Sequence, residues 1–184
     1  MDDTGPILID FDLPCMQCGY NLRGLAPEKT HCPQCGTDVA DTIASAAAQP
    51  SEQMKALLER LQRQPFVAIA QAADTSVDAA MFVRDAVNNG KVMFKPRGWF
   101  GRQKELNAQE ICAAVAWQAS TYFNDPKEAR ELLHEWGVRS SEDVGRIVIA
   151  FMDAGWFPKQ KLGEQDFQGL FTLDTLLQSS YKQP

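Results

Sequence analysis

The sequence predicts a mainly α-helical chain of the α+β kind, in which a small cysteine-built module precedes a helical domain closed by a short β-hairpin. Three observations lead there. Four of the five cysteines stand in two C-x-x-C pairs near the start of the 184 residues. From residue 51 onward, apolar residues recur at helical spacing between capping residues and glycine or asparagine stops. Near the end, two short apolar runs flank a polar turn.

The first element is the cysteine cluster, CMQCGYNLRGLAPEKTHCPQCG. Cys15 and Cys18 form one pair, and thirteen residues later Cys32 and Cys35 form the second. Each C-x-x-C pair can take two corners of a tetrahedron, so the two together complete a closed site of four thiolates. Gly19 and Gly36 follow the pairs, where the backbone must turn sharply and glycine takes positive φ at little cost. The spacer leaves room for a short hairpin through Tyr20–Leu25. Two disulfides or a redox pair are the competing readings. Disulfides are rare without export, and a redox C-x-x-C is single and sits in a βαβ context. The expectation is one structural Zn2+ on Cys15, Cys18, Cys32 and Cys35, with His31 a solvated neighbour. Four protein ligands leave no open position for catalysis.

Next come residues 37–50, TDVADTIASAAAQP, small, alanine-rich and ended by proline, which suits a tether. The domain boundaries that follow are 1–38 for the ribbon, 39–50 for the linker and 51–184 for the helical domain. Ser51 caps a helix whose Met54, Leu57, Leu58 and Leu61 make one apolar stripe, and Pro65 is expected to stop it. Thr75 and Asp78 bracket another start, Asn88-Asn89-Gly90 a stop, and Val92–Phe94 a short strand. Asn107 and Glu110 form a capping box for a helix carrying Ile111, Val115 and Tyr122. Asp125 and Pro126 open the next, with Leu132, Leu133 and Trp136 inside and Gly137 as its stop. Ser140 and Asp143 open one that places Val144, Ile147, Val148 and Phe151 on one face and closes at Gly155. Trp156–Lys161 and Phe167–Leu173 then read as the two strands of the hairpin.

Composition narrows the function classes. Hydrophobic residues make up 45% of the chain, enough for a packed core. No apolar run approaches the roughly 18 residues of a membrane span. The acidic N-terminus is the reverse of a signal peptide's basic start, so a cytoplasmic address is expected. A net charge of −6 disfavours general adsorption to nucleic acid or anionic lipid.

Catalysis finds no constellation. His134 reads as a helix-surface histidine, Cys112 as an inert core thiol, and Gly98-x-x-Gly101-x-x-Lys104 departs from the phosphate-loop pattern. Glu142 and Asp143 suit a helix N-terminus, where negative charge favours the dipole. The acids of the 141–154 helix also weigh against a winged helix-turn-helix reading of residues 127–154. One segment keeps a nucleic-acid reading open. KVMFKPRGWFGRQK, residues 91–104, carries Lys91, Lys95, Arg97, Arg102 and Lys104 around Trp99, bases and an aromatic in the manner of single-strand binders. The expected function is therefore non-catalytic, with another protein as partner. RNA or a ribonucleoprotein held through segment 91–104 is the alternative, and no membrane or small-molecule substrate is expected.

Two resemblances accompany these residues. The four cysteines, Gly19, Gly36, Tyr20, Leu22, Arg23, Gly24 and Leu25 resemble the N-terminal zinc ribbons carried by many otherwise unrelated planctomycete proteins. That implies a lineage and a metal site, with no activity attached. Residues 77–177 resemble a small family restricted to Planctomycetes and Verrucomicrobia, through AMFVRDAV (80–87), HEWGVRSSEDVGRIV (134–148), DAGW (153–156) and DFQGLFTLDTLL (166–177). That family brings no established activity. Its usual members begin near the helical domain, so the ribbon reads as an added module.

Overall fold

Ile7, Ile9, Phe11 and Leu13 alternate with Leu8, Asp10 and Asp12, and the structure buries every one of the first set while exposing the second. This extended run meets the chain beyond the first cysteine pair. Leu22 N–H donates to Leu13 O at 2.8 Å and Ile9 N–H to Leu25 O at 3.0 Å. The computed structural model describes residues 7–26, 31–94 and 105–180, and divides the chain into two units, Met1–Pro65 and Phe66–Pro184.

The first unit adds two helical pieces to that run. Helix α1, Val39–Ala46, is capped by Asp38, whose carboxylate accepts from Ala40 N–H, and buries Val39 and Ile43. Helix α2, Glu52–Ala73, begins at Ser51, whose hydroxyl oxygen accepts from Met54 N–H at 3.2 Å. Its Met54 and Leu57 join Ile7, Ile9, Phe11, Leu13, Leu22 and the α1 residues in one core. Fully burying such a side chain stabilises by about 1.5–3 kcal/mol. The stretch 39–50, expected as a tether, thus begins with a packed helix. Alanine favours helix as much as it loosens a linker, and Val39 and Ile43 give α1 an apolar face. The compact unit ends at Pro65 rather than at residue 38.

Pro65 does not stop α2, which runs through it to Ala73. A proline here removes one backbone bond and crowds the carbonyl of Leu61, at a cost of about 3 kcal/mol. Phe66, Ile69, Ala70 and Ala73 continue the apolar spacing beyond it and are all buried. That burial outweighs the local penalty.

The second unit is a helical core. Helix α3 spans Val77–Phe94, α4 Ala108–Tyr122, α5 Pro126–Glu135, α6 Ser141–Asp153 and α7 Leu173–Ser180, with a 3-10 turn at Glu164–Phe167. The capping residues lie where the sequence puts them. Asn107 and Glu110 exchange hydrogen bonds at 2.9 Å, and Asp125 accepts from Lys127 N–H with Pro126 first in its helix. Asp143 accepts from the N–H groups of Arg139 and Ser140. Helix α4 buries a broad face through Ile111, Cys112, Val115, Ala116 and Ala119, and its buried Gln118 accepts from Asn89. Val144, Ile147, Val148 and Phe151 of α6 are buried as expected, while Tyr122, at the end of α4, is exposed.

Two elements differ from expectation. Asn88-Asn89-Gly90 does not end α3, and Val92–Phe94 is its last turn rather than a strand. Gly90 serves a close approach. A Cβ there would lie 2.6 Å from Ala114 Cβ on α4. The C-terminal hairpin is not formed. Among the described residues the backbone pairs only through isolated bridges, and Phe167 and Leu173 belong to the 3-10 turn and α7. Phe167 is fully buried against Gly145 of α6, where a Cβ would come within 2.7 Å of its ring. That contact needs one bulky side chain at one depth, which a turn supplies without a ladder. Among the described residues, no single helix is long and apolar enough to cross a membrane.

Two expectations follow for stability. Gly90→Ala gains about 1 kcal/mol of helix propensity, but overpacking against Ala114 costs about 1–3 kcal/mol or more. Net destabilisation in a denaturant titration is the expected result. Glu142 accepts from Gly169 N–H at 2.8 Å, tying the end of the 3-10 turn to α6. That bond first, then the Ser140 hydroxyl and the backbone N–H of Glu142, hold its carboxyl down to about 2, against 4.5 for the ordinary group. Its contribution is complete above about 4.5 and is lost as pH falls toward 2. Denaturation midpoints should drop across that window, and Glu142→Gln should flatten the drop.

Candidate metal centre

Residues 14–21 and 31–38, PCMQCGYN and HCPQCGTD, fold into the same turn twice. In each, the N–H of the first cysteine donates to the carbonyl five residues on, Cys15 to Tyr20 at 2.8 Å and Cys32 to Thr37 at 2.7 Å. In each, the glycine N–H returns to the first cysteine's carbonyl at 2.9 Å, and the glycine sits at φ +74 or +76°. Each turn closes with an antiparallel bridge, Pro14 to Asn21 and His31 to Asp38. The closing side chains also match, Asn21 accepting from Arg23 N–H and Asp38 from Ala40 N–H. Sequence reasoning found the cysteines and glycines but passed over Asn21 and Asp38. The eight-residue repeat was the available signal.

The two turns bring the sulfurs of Cys15, Cys18, Cys32 and Cys35 within 4.8 Å of one another. Across the turns, Cys15 Sγ lies 3.6 Å from Cys35 Sγ, and Cys18 Sγ lies 3.7 Å from Cys32 Sγ. A tetrahedron of sulfurs about 2.3 Å from a central ion has edges of about 3.8 Å. A disulfide would need about 2.05 Å. The spacing fits a cation held by four sulfurs. Cys15 and Cys32 are buried, whereas Cys18 and Cys35 face solvent.

The backbone prepares the sulfurs for negative charge. The N–H groups of Cys18 and then Gln17 bring the Cys15 thiol down to about 6. Cys35 is lowered first by the Thr37 hydroxyl, 3.2 Å away, and then by the Thr37 N–H. Cys18 accepts from Tyr20 N–H, which lowers it, but desolvation and the neighbouring sulfurs outweigh that bond and push it up to about 12. Four crowded thiols therefore do not ionise together unaided. A bound cation supplies the missing charge and displaces the protons.

The remaining candidates stay apart from this centre. His31 enters the second turn through its bridge to Asp38, and the sulfur cluster does not include it. Cys112 is fully buried, and burial first, then the charge of Glu142, pushes its thiol up to about 12. His134 is exposed in the last turn of α5. Of the basic segment, Lys91 lies on α3, 3.2 Å from Glu105 Oε2 and 5.4 Å from the Phe157 ring centre. Lys95, Arg97, Trp99, Arg102 and Lys104 lie outside the described residues.

No family model matches the chain, and no curated protein and no solved structure matches it. Both resemblances drawn above accordingly rest on the quoted residues alone.

Cys32→Ser should abolish tight metal binding, because an uncharged hydroxyl replaces a buried thiolate. Protease cleavage confined to Met1–Pro65, with the helical signal of the rest retained, is the expected readout by mass spectrometry and circular dichroism.

Proposed function

We propose that Cys15, Cys18, Cys32 and Cys35 bind one zinc ion with a structural role, in a ribbon of the type the N-terminal residues resemble. The observation that carries this reading is the sulfur spacing of 3.6 and 3.7 Å across two matched turns. Four-sulfur tetrahedral sites suit zinc or iron, and zinc needs no redox partner and imposes no geometry of its own. Such a site is closed. It holds two turns together and leaves no position for water or substrate, so the metal takes no part in catalysis, and the role inferred for the chain is binding.

The partner in this reading is another protein, met in the cytoplasm, where a reducing environment keeps the cysteines available to metal. An RNA or ribonucleoprotein partner is the competing outcome. It draws less support, because Lys91 already spends its charge on Glu105 and its stem on Phe157.

Elemental analysis of chain purified without added metal should find one zinc per molecule, and iron in its place would overturn the zinc assignment. The full chain, captured from cells with and without nuclease treatment, should retain its partner in both cases. A partner lost on nuclease treatment would transfer the role to RNA.

A further inference from the structure

Three helix ends in the second unit are built alike. After α5, Gly137 and Val138 send N–H groups back to His134 and Leu133 at 3.0 and 2.8 Å. After α6, Gly155 and Trp156 do the same to Met152 and Phe151 at 3.1 and 2.9 Å. After α2 the pattern recurs with Asp74 and Thr75, bonded to Gln71 and Ala70 at 3.3 and 3.0 Å. The first residue of each pair is left-handed, Gly137 at φ +90°, Gly155 at +77° and Asp74 at +53°. Glycine is the ordinary occupant of this position. An aspartate there strains the backbone and sets a negative charge at a helix carboxyl end. Asp74 also lies three residues ahead of α3, whose amino end favours a negative charge.

The Asp74 carboxylate has no hydrogen-bond or ion-pair partner among the described residues, and neither has that of Glu135. Both line one groove of about 470 Å³, together with Trp136 and Thr75. The groove is shallow and open to solvent, with room for a side chain laid along the surface. Among the described residues, the Thr75 hydroxyl oxygen is shut off from solvent with no hydrogen-bond partner, and no lysine or arginine lines the groove. Arg146 reaches the end of α2, donating to Ala73 O at 3.2 Å, but pairs with Asp143 at 2.6 Å.

We propose that this groove binds a lysine or arginine side chain of a partner polypeptide, between the carboxylates of Asp74 and Glu135 and against the ring of Trp136. The lining has the complementary chemistry. Two carboxylates and the carboxyl ends of α2 and α5 attract a cation, and an aromatic face holds an organic one. A bare divalent ion fits less well. It would want six or more oxygens, whereas part of this wall is Ala70 and indole. The assignment rests on the protein-binding reading and names the chemistry of that partner.

Calorimetry on the full chain tests it, with a short lysine- and arginine-rich peptide as probe and a glutamine-substituted peptide of equal length as control. The basic peptide should bind, and the neutral one should bind at least tenfold more weakly. Asp74→Gly should lower affinity about fivefold while raising the melting temperature, because it restores glycine where glycine fits. Glu135→Gln should lower affinity about fivefold as well, and Glu128→Gln, outside the groove, should change nothing. Equal binding to all variants would assign the attraction to the general negative charge and overturn the groove. Absence of binding by the basic peptide would overturn it too. If a nuclease-resistant partner is retained equally by the natural chain and Asp74→Gly, the groove fails while the protein-binding reading stands. If no such partner is captured at all, it is that reading which fails.

Discussion

Four sulfur atoms that must share a volume within 4.8 Å set the terms for the first sixty-five residues. Bringing them together crowds groups that repel as thiolates and lose hydration as they approach. The chain answers with backbone and side-chain donors aimed at the sulfurs. Backbone N–H groups of Gln17 and Cys18 point at Cys15, and those of Tyr20 and Thr37 at Cys18 and Cys35. Those donors exist only if the chain reverses within four residues, which explains the left-handed glycines at 19 and 36. The buried run from Ile7 to Leu13 depends on the same geometry. Its partners Leu22 and Leu25 are positioned by the chain leaving the first turn. A unit of this size has a limited core, so a cation held by the four sulfurs would add its binding free energy to folding.

In the second unit, small residues at helix crossings play the corresponding part. Gly90 faces Ala114 between α3 and α4, and Gly145 faces the Phe167 ring beside α6. A methyl group at either position would press on its neighbour at well under normal contact distance. Alanine would be the better helix former at both, by about 1 kcal/mol. Glycine is retained where packing energy exceeds propensity. The same ranking explains Pro65, tolerated inside α2 because Phe66, Ile69 and Ala70 bury on the far side of it.

These cases mark what the sequence made legible. Helix starts were readable because a cap is settled within a few residues. Asn107 with Glu110 and Asp125 with Lys127 make contacts that no distant element has to ratify. Stops read from Pro65 and Gly90 failed because both are decided by burial against other elements. The hairpin failed for a related reason. Phe167 and Leu173 are apolar and widely spaced enough to suggest strands, yet both are buried in one helical core, from the 3-10 turn and from α7. The alternation ILIDFDL carried a period of two from the start, but its value lay hidden in the pairing with residues beyond the first cysteines.

The two sites divide along the same line. All four clustered sulfurs and most of their hydrogen-bond donors fall inside two eight-residue windows, so the candidate metal centre shows in the spacing. The acidic groove joins the ends of α2 and α5, and neither Asp74 nor Glu135 carries a local sign of it. Only the fold shows that Asp74 occupies a position that Gly137 and Gly155 fill elsewhere with the residue best suited to it. At this one of three like helix ends the left-handed residue brings a carboxylate with it. Among the described residues, the groove that it lines has no lysine or arginine.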